Sequence, residues 1–188
     1  MSFAISPEHK AEDFEGELSL DHKIDVFIAR VRGWQINPAL AMRDQKIPHR
    51  GFAQLLIVTS YFEMIGKYRA GYTGEHQSGK YFKEGLLYTF PDLPEDEREL
   101  LDAFYKSIRN GLYHVGMTTP NVIIYDDIPK SFGYHDESGA IAISPDKFVE
   151  DIMIRFEDFA KELKDVTNKQ LRENFEKRFD SDNTWKPK

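Results

Sequence analysis

Gly51-Phe52-Ala53-Gln54-Leu55-Leu56-Ile57-Val58-Thr59-Ser60-Tyr61-Phe62-Glu63-Met64-Ile65-Gly66-Lys67-Tyr68 is the stretch that dictates the arrangement of the rest of the chain. Phe52, Leu55, Leu56, Phe62 and Ile65 share one helical stripe, and Ile57, Val58, Tyr61 and Met64 widen it. A helix apolar over that much of its circumference must be covered from more than one side. The stretch therefore predicts a helical bundle with this segment at its centre, or part of a subunit interface. Glu63 is the one charge between Phe52 and Ile65. Its plain reading is a carboxylate in water at the edge of the stripe. Its functional reading is a supporting partner for Arg109.

Toward the N-terminus, Ile24, Phe27, Ile28 and Val31 repeat at i, i+3, i+4 and i+7 and predict a helix from Asp21 to Gly33. Asp21 is the expected cap, and Gly33 and Pro38 mark the exit. Residues 1–19 read as a polar, irregular arm. Met42 to Arg50 reads as a connector in which Arg43, Lys46 and Arg50 outnumber Asp44.

Toward the C-terminus, Gly66, Gly71, Gly74 and Gly79 break the central pattern. The string Gly74-Glu75-His76-Gln77-Ser78-Gly79-Lys80 imitates a phosphate-binding P-loop. It is rejected because Tyr81 stands where a Ser or Thr must hold magnesium, and a helix rather than a strand precedes it. Lys67, Arg69, Lys80 and Lys83 alternate with Tyr68, Tyr72, Tyr81 and Phe82, a mixture suited to single-stranded RNA if the aromatics are not packed down. Tyr81 to Phe90 reads as a short helix. Pro94 then opens another helix, with Glu95, Asp96, Glu97 and Glu99 crowding the start that the helix dipole makes favourable for carboxylates. Val122-Ile123-Ile124-Tyr125 and Ala140-Ile141-Ala142-Ile143 predict a small inserted β-hairpin with a long connection, whose His135-Asp136-Glu137 reads as a solvated turn. Ser144 as cap and Pro145 at the first position start a helix to about Asp165. Leu171, Phe175 and Phe179 make a last helix, and Asp180 to Lys188 a tail. The sum is a mainly α bundle of four or five main helices in a single domain.

Composition narrows the chemistry. With 40% hydrophobic and 30% charged residues the chain is globular, and its apolar runs fall short of a membrane span. No cysteine is present, which removes disulfides, thiolate catalysis and cysteine-based zinc sites and is compatible with the cytoplasm. No metal-binding motif is present and no cofactor is expected. A net charge of −7 restricts any nucleic-acid contact to a local patch, for which Arg43, Lys46, Arg50, Lys67, Arg69, Lys80 and Lys83 are the candidates.

The helix after Pro94 ends in Phe104-Tyr105-Lys106-Ser107-Ile108-Arg109-Asn110-Gly111-Leu112-Tyr113-His114. Leu101, Tyr105, Ile108, Leu112 and Val115 form one stripe. Leu100, Phe104, Ser107, Asn110 and His114 form a second, apolar at its start and polar at its end. On an ideal α-helix Ser107, Asn110 and His114 share a face, whereas Arg109 lies about 140° from His114. Arg109 reaches His114 only through side-chain length, a local bulge or a symmetric partner. Tyr113 reads as packed.

The pattern Arg109-Asn110-x-x-x-His114 near the end of a buried helix resembles the signature of the HEPN superfamily. Members are small helical proteins, many of them metal-independent endoribonucleases of toxin–antitoxin and antiviral systems. The resemblance rests on these residues and on the helical frame. It implies that Arg109 and His114 are catalytic, that Asn110 orients the phosphate or the imidazole, with Ser107 and Glu63 in support, and that two motifs meet across a homodimer. It also implies RNA as substrate and an antitoxin or defence-system protein as a possible partner. Relatives controlled by nucleotidyltransferase antitoxins carry a Tyr two residues after the His; Gly116 stands there, which puts that control in doubt. Two other readings stay open. One is a non-catalytic module that binds a nucleotide or a partner protein. The other is a structural helical dimer in which neighbouring carboxylates such as Glu63 satisfy Arg109 and His114.

Overall fold

The computed structural model describes residues 4–14, 16–93, 98–135 and 138–183. The predicted acidic helix start at Pro94, Glu95, Asp96 and Glu97 lies outside the described residues, as do Asp136 and Glu137. So does the end of the predicted tail, residues 184–188.

The central stretch forms α3 (Gly51–Ala70). Leu55, Val58, Tyr61, Phe62 and Ile65 are fully buried in it, and most of the other helices pack against it. The stripe is not buried along its whole length, however: Phe52 and Leu56 are 41% and 45% exposed. Their places inside are taken by Gln54 and Thr59, both fully buried. Gly66 does not break the helix as expected. It lies where α3 crosses α4 (Ser78–Thr89), and a Cβ there would stand 2.0 Å from the Tyr81 carbonyl oxygen. Gly85 of α4 meets the Phe62 carbonyl oxygen in the same way at 1.9 Å. Two missing side chains thus let two helix backbones touch, which explains the tightness of this pair.

α1 (Leu20–Val31) is capped by Ser19, whose hydroxyl accepts the His22 N–H at 3.3 Å; Asp21, expected as the cap, lies in the first turn. Gly33 and Pro38 do not end the helix. A π turn over Arg32–Ile36 carries it into α2 (Asn37–Asp44), directly ahead of Pro38, which has no N–H to give back to that turn. The N-terminal arm is packed down rather than free: Ile5 and Ser6 are buried, and Arg30 Nε donates to the Ile5 carbonyl at 2.6 Å.

α5 (Arg98–Phe104) continues without a break as a π-helical segment, Tyr105–Val115. The β insertion follows, with β1 (Val122–Ile124), β2 (Phe132–Tyr134) and β3 (Ile141–Ile143). The two strands predicted as a hairpin instead run parallel, β1 beside β3. The antiparallel hairpin is β2 with β3, giving the order β1-β3-β2. The sequence reading missed β2 because Phe132-Gly133-Tyr134 is short and Gly-interrupted. α6 (Pro145–Lys164) and α7 (Lys169–Asp182) complete the bundle, so residues 180–182 are helical rather than tail. Ser144 occupies the cap position of α6, but its hydroxyl donates to the Asp126 carbonyl at 3.4 Å instead.

An aromatic cluster joins these layers. Phe104, the last residue of α5, lies 5.5 Å from Phe148 of α6, 5.1 Å from Phe132 of β2 and 6.3 Å from Phe62 of α3, centroid to centroid. Such contacts fix ring orientation as well as burying area. They pin the helix five residues before Arg109. No helix among the described residues is long and apolar enough to cross a membrane.

Candidate functional site

The motif residues do not sit on an α-helix. From Tyr105 onward the chain makes i→i+5 hydrogen bonds, and the wider turn brings residues five apart closer to one face than an α-helix does. This is the local bulge needed to bring Arg109 to His114. Arg109 Nη1 lies 3.4 Å from His114 Nε2 and 3.2 Å from Asn110 Oδ1. Guanidinium can only donate, so this contact is a hydrogen bond in the tautomer whose Nε2 accepts.

The wide turn is held from outside. The chain reverses after Val115 and lays the Met117 carbonyl against Gly111, where a Cβ would stand 2.5 Å from that oxygen. Thr119 N–H then donates to the Ser107 carbonyl at 3.1 Å. Ser107, expected in a supporting role, enters through its backbone carbonyl. Ile108 and Leu112 face the core. Val115, expected on the apolar stripe, is 77% exposed because the π winding rotates it outward.

Glu63 anchors the other side of Arg109. Arg109 Nη2 meets Glu63 Oε2 at 3.2 Å, while Lys67 Nζ and the Ser78 hydroxyl donate to Glu63 Oε1 at 2.7 and 2.8 Å. Of the two readings of Glu63, the structure has the partner of Arg109 rather than a carboxylate in water. Burial pushes the Glu63 carboxyl up, but the Lys67 and Ser78 hydrogen bonds and the Lys67 and Arg109 charges outweigh it and hold the carboxyl below its ordinary range. Tyr113 is not packed inside. It is 45% exposed, its ring lies 5.2 Å from the Arg109 guanidinium, and its hydroxyl reaches the Leu56 carbonyl at 3.5 Å. Tyr105 flanks the guanidinium at 5.7 Å. Arg109 is thus fixed in place, whereas His114 is exposed.

A cleft of about 290 Å³ opens beside Arg109. Ser60, Glu63, Met64 and Lys67 of α3 line one side, Tyr113 and Arg109 another, and Arg178 and Asp182 of α7 the far end. Asn110 and His114 are not among its lining residues; they stand at the solvent side of Arg109.

The candidate RNA contacts are scattered, and most carry carboxylate partners. Arg43 pairs with Asp44 and Glu150, and Arg50 with Asp146 and Asp126, at the far end of α3. Lys67 is buried under Glu63, which turns it inward from the surface. Arg69 meets Glu162 at 3.2 Å and stacks on Tyr88 at 3.8 Å. Lys80 stands 3.8 Å from Glu84, and Lys83 2.8 Å from Asp102. Lys46 is exposed in the turn after α2. Sequence reasoning missed Ser78, Tyr113, Arg178 and Asp182 as site residues, and it placed Lys67 in the surface patch rather than against Glu63. Only the Glu63–Lys67 pair carried a local signal, the i,i+4 spacing. The others converge by tertiary packing.

This geometry offers a fixed cation for a phosphate, an imidazole nitrogen beside it, and an adjoining polar cleft. Among the described residues, no group of His, Cys, Asp or Glu gathers closely enough to hold a metal ion. No family model, curated protein or solved structure matches the chain.

Proposed function

We propose that the chain is an endoribonuclease of HEPN type, in which Arg109 and His114 cleave RNA through attack by the substrate's own 2′-hydroxyl. The observation that carries this reading is the 3.4 Å Arg109–His114 contact at the exposed end of a guanidinium anchored by Glu63. A phosphate arriving at Arg109 competes for Nη1 and releases His114 Nε2. The freed nitrogen takes the 2′-hydroxyl proton, O2′ bonds to phosphorus, and the bond from phosphorus to O5′ breaks. The products are a 2′,3′-cyclic phosphate and a 5′-hydroxyl, with the O5′ proton supplied by an imidazolium or by water. Imidazole suits the first step because its ordinary pKa lies near neutrality. The guanidinium suits the second because negative charge grows on the phosphoryl oxygens. Asn110, 3.2 Å from Arg109, is placed to orient the phosphate.

A homodimer with the motif segment near its interface belongs to the same proposal. Leu56, Tyr113, Val115 and Met117 leave exposed apolar surface around the motif. A toxin–antitoxin or antiviral setting follows from the resemblance alone. Labelled RNA incubated with purified protein in EDTA tests the chemistry: cleavage to cyclic-phosphate ends, lost in His114→Ala, is the expected result. The second reading, a non-catalytic module for a nucleotide or partner protein, is favoured by the pairing of Arg43, Arg50, Lys67, Arg69 and Lys83 with carboxylates. Binding without cleavage of any RNA selects it.

A further inference from the structure

We infer that Trp34 and Arg30, past the far end of the cleft, form a second contact for single-stranded RNA, in which the indole stacks on a base and the guanidinium meets a phosphate. The inference rests on the ribonuclease reading for the identity of the ligand and adds a point of grip remote from the reacting phosphate.

Three observations carry it. The first is the state of Arg30. Of the arginines whose side chains are described, it is the one that meets no carboxylate of a described residue. Its Nε donates to the Ile5 carbonyl and its Nη1 to the Asn183 amide oxygen, each at 2.6 Å, and both acceptors are neutral. No described residue accepts from Nη2. Burial holds the guanidinium below its ordinary pKa, and Tyr68 and Asp182 oppose this only in part. A half-buried cation without a counter-charge is stabilised by an arriving anion. The second observation is Trp34, which is 52% exposed on a fixed backbone. Its π turn is pinned by Val31 and Ile36, both buried, and Gly33 lies so close to Pro7 that a Cβ would stand 2.4 Å from a ring carbon. A ring fixed beforehand loses little freedom on stacking, and it accepts any base. The Arg30 guanidinium lies 6.0 Å from the indole centroid, so neighbouring base and phosphate can engage both. The third observation is their place. Phe179 packs against the Arg30 guanidinium at 5.6 Å and Asn183 accepts from it, while Arg178 and Asp182, their immediate neighbours in sequence, line the cleft. A strand held at Arg109 and laid along the cleft leaves it beside this pair.

The test uses the full chain and a single-stranded oligodeoxynucleotide of about twelve nucleotides, which lacks the 2′-hydroxyl and so cannot be cut by this chemistry. The chain holds two tryptophans, Trp34 and Trp185, so the Trp185→Phe variant reports Trp34 alone. Its fluorescence should be quenched on titration, as stacking on the indole requires. Trp34→Ala should weaken binding, read by anisotropy of an end label, by about tenfold. Arg30→Gln should lower the salt slope of binding by about one, and Arg30→Lys should keep it. Arg30 also ties down Ile5 and Asn183, so its variants are checked by urea unfolding; Trp34, being exposed, supplies the test whichever way they fold. With RNA as substrate, Trp34→Ala should raise KM for a long strand at unchanged kcat. It should leave a dinucleotide cut at the wild-type rate, because one phosphate held at Arg109 does not extend to Trp34. Absence of quenching, or unchanged affinity in Trp34→Ala, overturns the contact and leaves cleavage, if seen, to stand. An equal loss on dinucleotide and long strand overturns it too. Quenching and Trp34-dependent binding without cleavage of any RNA uphold the contact and overturn the ribonuclease reading.

Discussion

The two ends of α3 carry similar ion pairs that differ in what the arginine has left to offer. At the N-terminal end, Arg50 meets Asp146 of α6, with side chains 22% and 20% exposed. Thirteen residues on, Glu63 meets Arg109 of the π-helical segment, 18% and 21% exposed. Charge and burial do not distinguish them. Arg50 turns both Nε and Nη2 to Asp146, and Nη2 also reaches Asp126. Gln54 donates to the same Asp146 at 2.9 Å, closing the cluster. Arg109 turns only Nη2 to its carboxylate and points Nη1 at Asn110 and His114 beside open solvent. The second carboxylate is saturated instead by Lys67 and Ser78. A buried ion pair is therefore weak evidence for a site. The direction of the remaining donors is the informative part.

The largest expected effect separates the two ends by activity. His114→Ala should lower RNA cleavage by about 10²–10⁴-fold, as loss of a general acid–base group does. Its thermal midpoint should stay unchanged, since the imidazole is exposed. Arg109→Ala should lose roughly 10²–10³-fold. Arg109→Lys should recover only part, because one ammonium cannot serve both Glu63 and a phosphate in the planar geometry of guanidinium. Asp146→Ala, at the opposite end, should leave the rate per folded molecule at the wild-type value. A comparable activity loss in Asp146→Ala would erase the distinction between the ends.

The next effect is on stability. Asp146→Ala and Glu63→Ala each leave half-buried cations without their carboxylate and should cost about 1.5–3 kcal/mol in urea unfolding. The two variants should diverge in function, because only Glu63→Ala also frees Arg109 from its position. Equal cleavage by both would mean that Glu63 merely stabilises.

Acid should expose the same likeness. Burial acts to raise the Asp146 carboxyl, but the Arg50 and Gln54 hydrogen bonds and the Arg50 and Arg43 charges hold it below its ordinary range; Glu63 is likewise depressed. A folded-state pKa below the unfolded one stabilises the protein above the unfolded value, about 3.9 for Asp and 4.3 for Glu, and that stability is lost as pH falls through the folded value. Stability measured by circular dichroism should therefore decline below about pH 4. The decline should be shallower in Asp146→Asn and Glu63→Gln. An unchanged slope in both variants counts against these carboxylates as the acid-sensitive groups.

The smallest effect concerns the surface. Replacing Lys80 and Lys83 by Glu should lower the salt dependence of RNA binding by about one phosphate contact or less, since both ammonium groups already stand near carboxylates. A large drop would show that RNA displaces those partners and would widen the site toward α4.

Much of the bundle was legible in the chain because amphipathic helix spacing is a local property. The apolar repeats of 24–31, 51–68 and 148–163 predict helices that form, with ends displaced by a few residues. Glycines and caps were less legible. Gly66 reads as a breaker until the Tyr81 backbone is seen lying against it, and Ser144 reads as a cap until Asp126 takes its hydroxyl. Strand partners were not legible either. Val122–Ile124 reads as a strand from its β-branched run, but its parallel pairing with Ile141–Ile143 depends on where intervening residues return.

By itself the sequence determined a helical frame around 51–68 and an Arg, an Asn and a His gathered within six residues at the end of one helix. It could not bring Arg109 to His114, because α-helical winding sets them about 140° apart. Tertiary structure decided that point. Phe104 is held by rings from three other elements, and the returning chain presses the Met117 carbonyl onto Gly111 and ties Thr119 to Ser107. Between those restraints the segment winds as a π-helix, whose wider turn brings residues five apart closer to one face than an α-helix does. The choice between two windings of one helix is made by contacts distant in sequence, so no local pattern could state it.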